Sequence, residues 1–170
     1  MKQLHELSKR FPDSFIHDNP SGYGDYIQHS VIRQRLLSVL GAYSTDIVET
    51  IYDGEIVTGV ILKLTCVVDG KEVSVVEAGD VEKPQNWKTN GARMKDAMSD
   101  AIKRCAMALG VGLHLWSQMN GKDEYFLDKQ LEKEMSKSKT TLIDSSGGKQ
   151  TVIGEITYES KLKGDDDSTG

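Results

Sequence analysis

Residues 44–78 read STDIVETIYDGEIVTGVILKLTCVVDGKEVSVVEA, and the period of this stretch decides the fold. β-Branched residues dominate it, and side chains alternate at a spacing of two, as in strands that turn one face to a core. Asp53-Gly54 and Asp69-Gly70 punctuate the run. Asp-Gly suits the positive-φ positions of tight hairpin turns, so the stretch predicts a three-stranded antiparallel meander. In its middle segment Ile56, Thr58, Val60, Leu62, Leu64, Cys66 and Val68 share one face, and Val57, Gly59, Ile61, Lys63, Thr65 and Val67 share the other. One face must be covered, and helices on either side of the meander are the candidates.

Upstream, Lys2–Arg10 has the pattern of a short amphipathic helix ending before Pro12, and a loop rich in Gly, Pro and Asn follows. In DYIQHSVIRQRLLSVLG, Ile27, Val31, Leu36, Leu37 and Leu40 recur at helical spacing, with Asp25 as the expected cap and Gly41 as the stop. Downstream, the longest helical pattern covers Ala92–Leu109 and closes at Gly110. Met94, Ala97, Met98, Ala101, Ile102, Cys105, Ala108 and Leu109 fall on one wide, small-residue face, which suits close packing on the sheet. A last helix is expected at about Asp123–Met135. The reading is therefore an α+β domain over residues 1–135, followed by a flexible, acidic-ended tail over 136–170. Within the tail TVIGEITYES alternates like a strand, a piece able to add to a sheet or dock on a partner.

The formal charge is −5 over 170 residues, unevenly placed. Residues 1–122 hold 14 Lys and Arg against 15 Asp and Glu, and residues 123–170 hold 7 against 11. Domain-wide basicity, the usual footprint of a nucleic-acid binder, is missing, so any such binding must use a local basic stripe, repeated around an oligomer. No apolar run is long enough to span a membrane, and MKQLHELSKRFPDSF has no signal-peptide core, which points to a cytoplasmic protein. Cys66 and Cys105 lack metal-ligand spacing, and the four histidines form no HExxH group; no cofactor or metal is expected. Gly147-Gly148-Lys149 lacks the earlier glycine of a phosphate loop, and Gly110-Val111-Gly112 follows a helix where a dinucleotide fingerprint would precede one, so no ATP site is visible.

The order helix, meander, long helix carries more specific residues: the strand end VVEAGDVE, the helix start NWKTNGARMKDA, and Ser99-Asp100-Ala101-Ile102-Lys103-Arg104 followed by Gly110. From about Tyr26 to Trp116 the chain resembles the Rad-fifty-two type single-strand annealing proteins, a superfamily that includes phage recombination proteins and a bacterial DNA-damage-response protein. The resemblance implies a β-β-β-α core, homo-oligomeric rings or helical filaments, and a basic groove that holds one DNA strand by its phosphates with the bases exposed. It implies ATP-independent annealing in recombination and repair, with no enzyme chemistry. The basic pair that matches is Lys103 and Arg104. Where family members carry a further basic residue one turn along, this chain has Met107, so the groove is expected to draw also on Lys88, Arg93 and Lys95, or on Arg33 and Arg35.

Gripping phosphates requires Lys and Arg, not base-reading amides. The bland alternative pairs Asp100 with Arg104 and Asp96 with Arg93 on a solvated face, worth about tenths of a kcal/mol per pair. Trp87, Tyr23 and Tyr26 fall in loops where a ring can stack on a base, or equally pack against a neighbour, whereas Trp116 is expected in the core. Two other functions fit the same core: a DNA-end-protecting or RNA-binding module without annealing, and a Mg²⁺ nuclease using Glu77, Asp80 and Glu82. The acidic end Asp165-Asp166-Asp167 suits either docking on a protein partner or competition with DNA for the groove.

Overall fold

A computed structural model describes residues 1–18, 24–119 and 122–140. In chain order the elements are α1 (Lys2–Ser8), β1 (Ile16–Asp18), β2 (Asp25–Ile27), α2 (His29–Leu40), β3 (Ser44–Asp53), β4 (Ile56–Val68), β5 (Lys71–Asp80), α3 (Asn90–Ala108), β6 (Gln118–Met119), β7 (Lys122–Asp123) and α4 (Leu127–Thr140). The architecture is α+β. β3, β4 and β5 form the antiparallel meander with β4 central, while β1–β2 and β6–β7 are separate short hairpins.

Both Asp-Gly turns are present, with positive φ at Gly54, and at Asp69 and Gly70. Opposite strands pair without a break from Gly59↔Asp80 to Val68↔Lys71, so Val60, Leu62, Leu64 and Cys66 line one face as expected and are buried. The alternation fails at the start of β4. Ile51 pairs with Gly59 but Tyr52 pairs with Val57, leaving Thr58 as the extra residue of a bulge. A bulge reverses which face the following residues take. Val57 is therefore buried and Ile56 is 45% exposed, the reverse of the simple two-residue reading.

α3 covers the inner face of β4 and β5, burying Ala97, Ala101, Ile102, Cys105 and Ala106. Ala106 replaces the expected Ala108, which faces solvent. The helix starts two residues before Ala92, because the Thr89 side chain accepts the Ala92 N–H as its cap and Asn90 ties the first turn to the β3–β4 corner. The Asn90 amide donates to the Glu55 carbonyl at 2.7 Å and its Oδ1 accepts the Val57 N–H at 3.2 Å. The opposite sheet face presents Val67 and Val76 to solvent.

Two helix boundaries differ from the sequence reading. Asp25 does not cap α2: it lies in β2, and α2 begins at His29 after Gln28, which makes no side-chain cap. Ile32 and Leu36 form the buried stripe of α2, and Leu37 points outward. α4 runs to Thr140, past Met135 and into the stretch assigned to the tail. Residues 141–170, with TVIGEITYES and the three aspartates, lie outside the described residues, as does Tyr23.

α1 and α4 close the end of the core through a polar cluster that runs from buried Tyr125 and His114 out to partly exposed Arg10 and exposed Asp123. The Tyr125 hydroxyl donates to the Ser8 carbonyl, and Arg10 reaches Asp123 at 2.8 Å and Asp128 at 3.4 Å. His114 is 2% exposed between the rings of Phe11 and Tyr125, and its Nε2 accepts the Phe11 N–H. Arg35 is part of this structure, donating to the carbonyls of Glu6 and Lys9 with its guanidinium 4.1 Å from the Phe11 ring centre.

Two measurements test this packing. A Cβ on Gly79 would lie 2.2 Å from the Ala97 carbonyl oxygen and 2.4 Å from the Ala101 nitrogen, backbone atoms that cannot turn aside. Gly79→Ala should therefore lower stability by about 1–3 kcal/mol in denaturant unfolding. Gly91→Ala, where a Cβ meets nothing within 4 Å, should leave it unchanged or raised. Burial first, then Arg10 and Arg35, hold the His114 pKa below its ordinary 6.5, with Asp128 and Asp123 opposing. The unfolded chain thus takes up the proton first, so this stabilisation is complete above about pH 6.5 and declines below it. The unfolding midpoint should fall between pH 7.5 and 5.5, and by less in His114→Gln, which keeps an acceptor for Phe11. A midpoint that is flat across that range contradicts the neutral, buried imidazole.

Candidate nucleic-acid interface

One cleft collects the residues with chemistry. β2 supplies Asp25, Tyr26 and Ile27, α2 supplies Ile32, α3 supplies Asp100, Lys103, Arg104 and Met107, and the turn after α3 supplies Val111, Gly112, Leu115 and Trp116. The elements are brought together by the chain reversal after α3. Gly110 and Gly112 both have positive φ, at 94° and 73°, which ends the helix and turns a single 3-10 turn, Leu113–Trp116, back over it. That reversal buries Val111 and His114 and leaves Trp116 at the lip, 66% exposed. Trp116 is thus not a core residue, and the sequence reading missed it. Its only signal was its position four residues after Gly112, the second of two glycines that break the helical pattern.

Tyr26 is 43% exposed across the cleft, its ring 5.4 Å from that of His17. The floor is apolar, from Ile27, Ile32 and Val111, all buried, with Met107 partly so. The rim on α3 is charged. Asp100 accepts from Arg104 Nε at 2.9 Å and lies 3.7 Å from Lys103 Nζ, and it also accepts the Asp80 N–H that ends β5. The i,i+4 pair expected on an ordinary solvated face is therefore present. Both cations nevertheless remain partly exposed, at 40% and 46%, and among the described residues the Arg104 terminal nitrogens have no hydrogen-bond partner. Asp100 first, by its hydrogen bond and charge, holds the Arg104 pKa above its usual value, so the guanidinium is a permanent cation.

His29 extends the rim towards α2. Burial, then Arg33 and Lys103, hold its pKa down, opposed by the Ser99 carbonyl, so the imidazole is kept neutral beside these cations. Arg33 also donates to the Tyr43 hydroxyl at 3.1 Å. The other residues of the expected basic set do not converge here. Arg35 belongs to the polar cluster at α1, and Arg93 holds the α3 entry through the Pro84 carbonyl and Asn90. Lys88 and Lys95 stand exposed near that entry, beside Trp87, whose indole N–H donates to Asp96 at 3.2 Å. The structure therefore sets Lys103 and Arg104 on the cleft, keeps Arg33 outside its lining against Tyr43, and leaves Lys88, Arg93 and Lys95 near the other end of α3.

Neither cysteine is poised as a thiolate. The Cys105 thiol sits against the Leu62 and Val75 carbonyls, and burial pushes its pKa up to about 11; the Cys66 thiol is raised for the same reason. Among the described residues no three His, Cys, Asp or Glu side chains gather at metal-binding distance, so Glu77, Asp80 and Glu82 form no such set. No described helix is long and apolar enough to cross a membrane. No protein-family model matches the chain, and no curated protein matches its sequence.

Asp100 is the internal competitor for any phosphate that reaches Lys103 and Arg104. Asp100→Asn keeps an acceptor for the Asp80 N–H but removes the charge, and exposed helix pairs of this kind stabilise by only about 0.3–0.5 kcal/mol. The substitution should tighten binding of a fluorescent oligo-dT severalfold at low salt, measured by anisotropy, with little change in melting temperature. Weaker binding would show that Asp100 organises the cations instead of masking them.

Proposed function

We propose that this protein binds single-stranded DNA along the cleft and anneals complementary strands without nucleotide hydrolysis, acting as a homo-oligomer in recombination or repair. The observation that carries the reading is the pairing of exposed Trp116 and Tyr26 with Lys103 and Arg104 in one concave site. Single-strand binders combine cations that track the backbone with aromatic rings that stack on bases, each stacked base being worth about 1–3 kcal/mol. The resemblance over Tyr26–Trp116 points the same way, and it rests on the motifs alone.

A single copy offers only a few cations, and its formal charge is negative. Assembly into a ring or filament multiplies those cations into one track, so that affinity comes from avidity. The meander supports such assembly, because β3 and β5 are both edge strands and the outer sheet face carries Val67 and Val76 in the open. The segment beyond Thr140 is proposed to serve a protein partner or to tune affinity, and the cytoplasm of a phage-infected or damaged bacterium is the setting this activity suits. A module that protects ends or binds RNA would use the same cleft but would not accelerate pairing.

The test is the double variant Lys103→Ala/Arg104→Ala. Both side chains lie outside the buried face of α3, so the fold should persist. Oligo-dT affinity should drop by at least tenfold. The log–log salt slope should become shallower by about 0.7 for each phosphate of the single strand that is no longer neutralised. Annealing of complementary oligonucleotides, followed by energy transfer, should slow in parallel. Wild-type binding by a folded double variant would move the interface elsewhere, and wild-type binding without any acceleration of pairing would leave the end-protecting reading.

A further inference from the structure

The cleft offers more than a phosphate track needs. It holds about 110 Å³ lined by Tyr26 and Trp116, by the apolar Ile27, Ile32, Val111 and Met107, and by Asp25 of β2 besides the charged residues of α3. A backbone phosphate would not enter an apolar floor, since it would lose its hydration without a partner there. A flat, uncharged nucleobase has the shape and polarity that such walls accept. Met107 is informative because it stands where the resemblance expects another cation: a soft, adaptable side chain suits the face of a base and cannot hold a phosphate.

We propose that the cleft takes one unstacked base of the bound strand per subunit, between Tyr26 and Trp116, and that Asp25 selects a base offering N–H donors, guanine above all. The inference rests on the single-strand-binding reading of the same cleft. Of the two carboxylates at the rim, Asp100 is occupied by Arg104 and Lys103, whereas Asp25 has no hydrogen-bond or ion-pair partner among the described residues. An ionised carboxylate only accepts hydrogen bonds. Guanine presents adjacent N1–H and N2–H donors to such a group and can bind both oxygens at once. Adenine and cytosine present an amino group beside an acceptor, and thymine presents one N–H between two carbonyl oxygens that the carboxylate repels. The lips grip the ring without regard to sequence, and the rim carboxylate supplies the preference. With one base parked in each subunit, the intervening bases stay outside for pairing, and the parked positions fix the strand's register along the oligomer.

The experiment compares oligo-dT with the same tract carrying, at intervals, guanine, hypoxanthine or an abasic site, using the full chain and anisotropy competition. Guanine should bind about three- to tenfold tighter than thymine. Hypoxanthine, which lacks the N2 amino group, should fall between them, and the abasic tract should be weakest. Asp25→Asn should bring the guanine-to-thymine ratio close to one, and Trp116→Ala should erase the difference between thymine and the abasic site. Equal affinity for guanine and thymine in the wild type, or a guanine preference that survives Asp25→Asn, overturns the proposal while oligo-dT binding leaves the single-strand reading standing. Guanosine 5′-monophosphate binding as tightly as the guanine-bearing tract would assign the pocket to a free nucleotide and overturn the strand-borne reading. Failure of every oligonucleotide to bind overturns both.

Discussion

At Gly79 the backbone of β5 comes so close to α3 that no side-chain carbon fits between them. Helices usually rest on sheets through interdigitated side chains, and here two alanines, Ala97 and Ala101, face a glycine, so the gap narrows. Much follows from that narrowing. It anchors the middle of α3 over β4 and β5, and it brings the N–H of Asp80, the next residue on β5, to the carboxylate of Asp100, the next residue but two beyond Ala97 on α3. Asp100 in turn pairs with Arg104 and Lys103 at the rim. The carboxylate that competes with a phosphate for the cationic pair is thus placed by a backbone approach in the core.

The C-terminal end of α3 is shaped by a second constraint. Positive φ at Gly110 and Gly112 reverses the chain within three residues, so that His114 drops into the cluster at α1 and α4 while Trp116 swings over the cleft. One short turn therefore couples a buried, neutral imidazole to an exposed indole. Loss of the neutral state at His114 would act on the support of the turn that holds Trp116, not on the cations.

The sequence made the architecture legible where periodicity is long and uninterrupted. The meander, its two Asp-Gly corners and the small-residue face of α3 are all local patterns reinforced over ten or more residues. The bulge at Thr58 went unread, although Gly59 beside it is the kind of strand-interior glycine that marks such a break. Asp25 read as a cap because it precedes a helical pattern, but the pairing of β2 with β1 claims it for a strand. At the candidate site, Lys103, Arg104 and Tyr26 were readable from residue type and motif. Trp116 was not, since its exposure depends on a chain reversal. Arg35 looked equivalent to Arg33 two residues away, yet the helical offset sends one to Phe11 and the other to the surface.

The central claim is that one strand lies in the cleft between β2, α3 and the turn that follows it. Ultraviolet cross-linking of a single-stranded oligonucleotide to the full chain, with the modified residues located by mass spectrometry, tests it most directly. The account predicts cross-links concentrated at Tyr26 and Trp116, abolished when unlabelled oligo-dT competes. Cross-links confined to Trp87 and the α3 entry, or to the open face of the sheet, would contradict it.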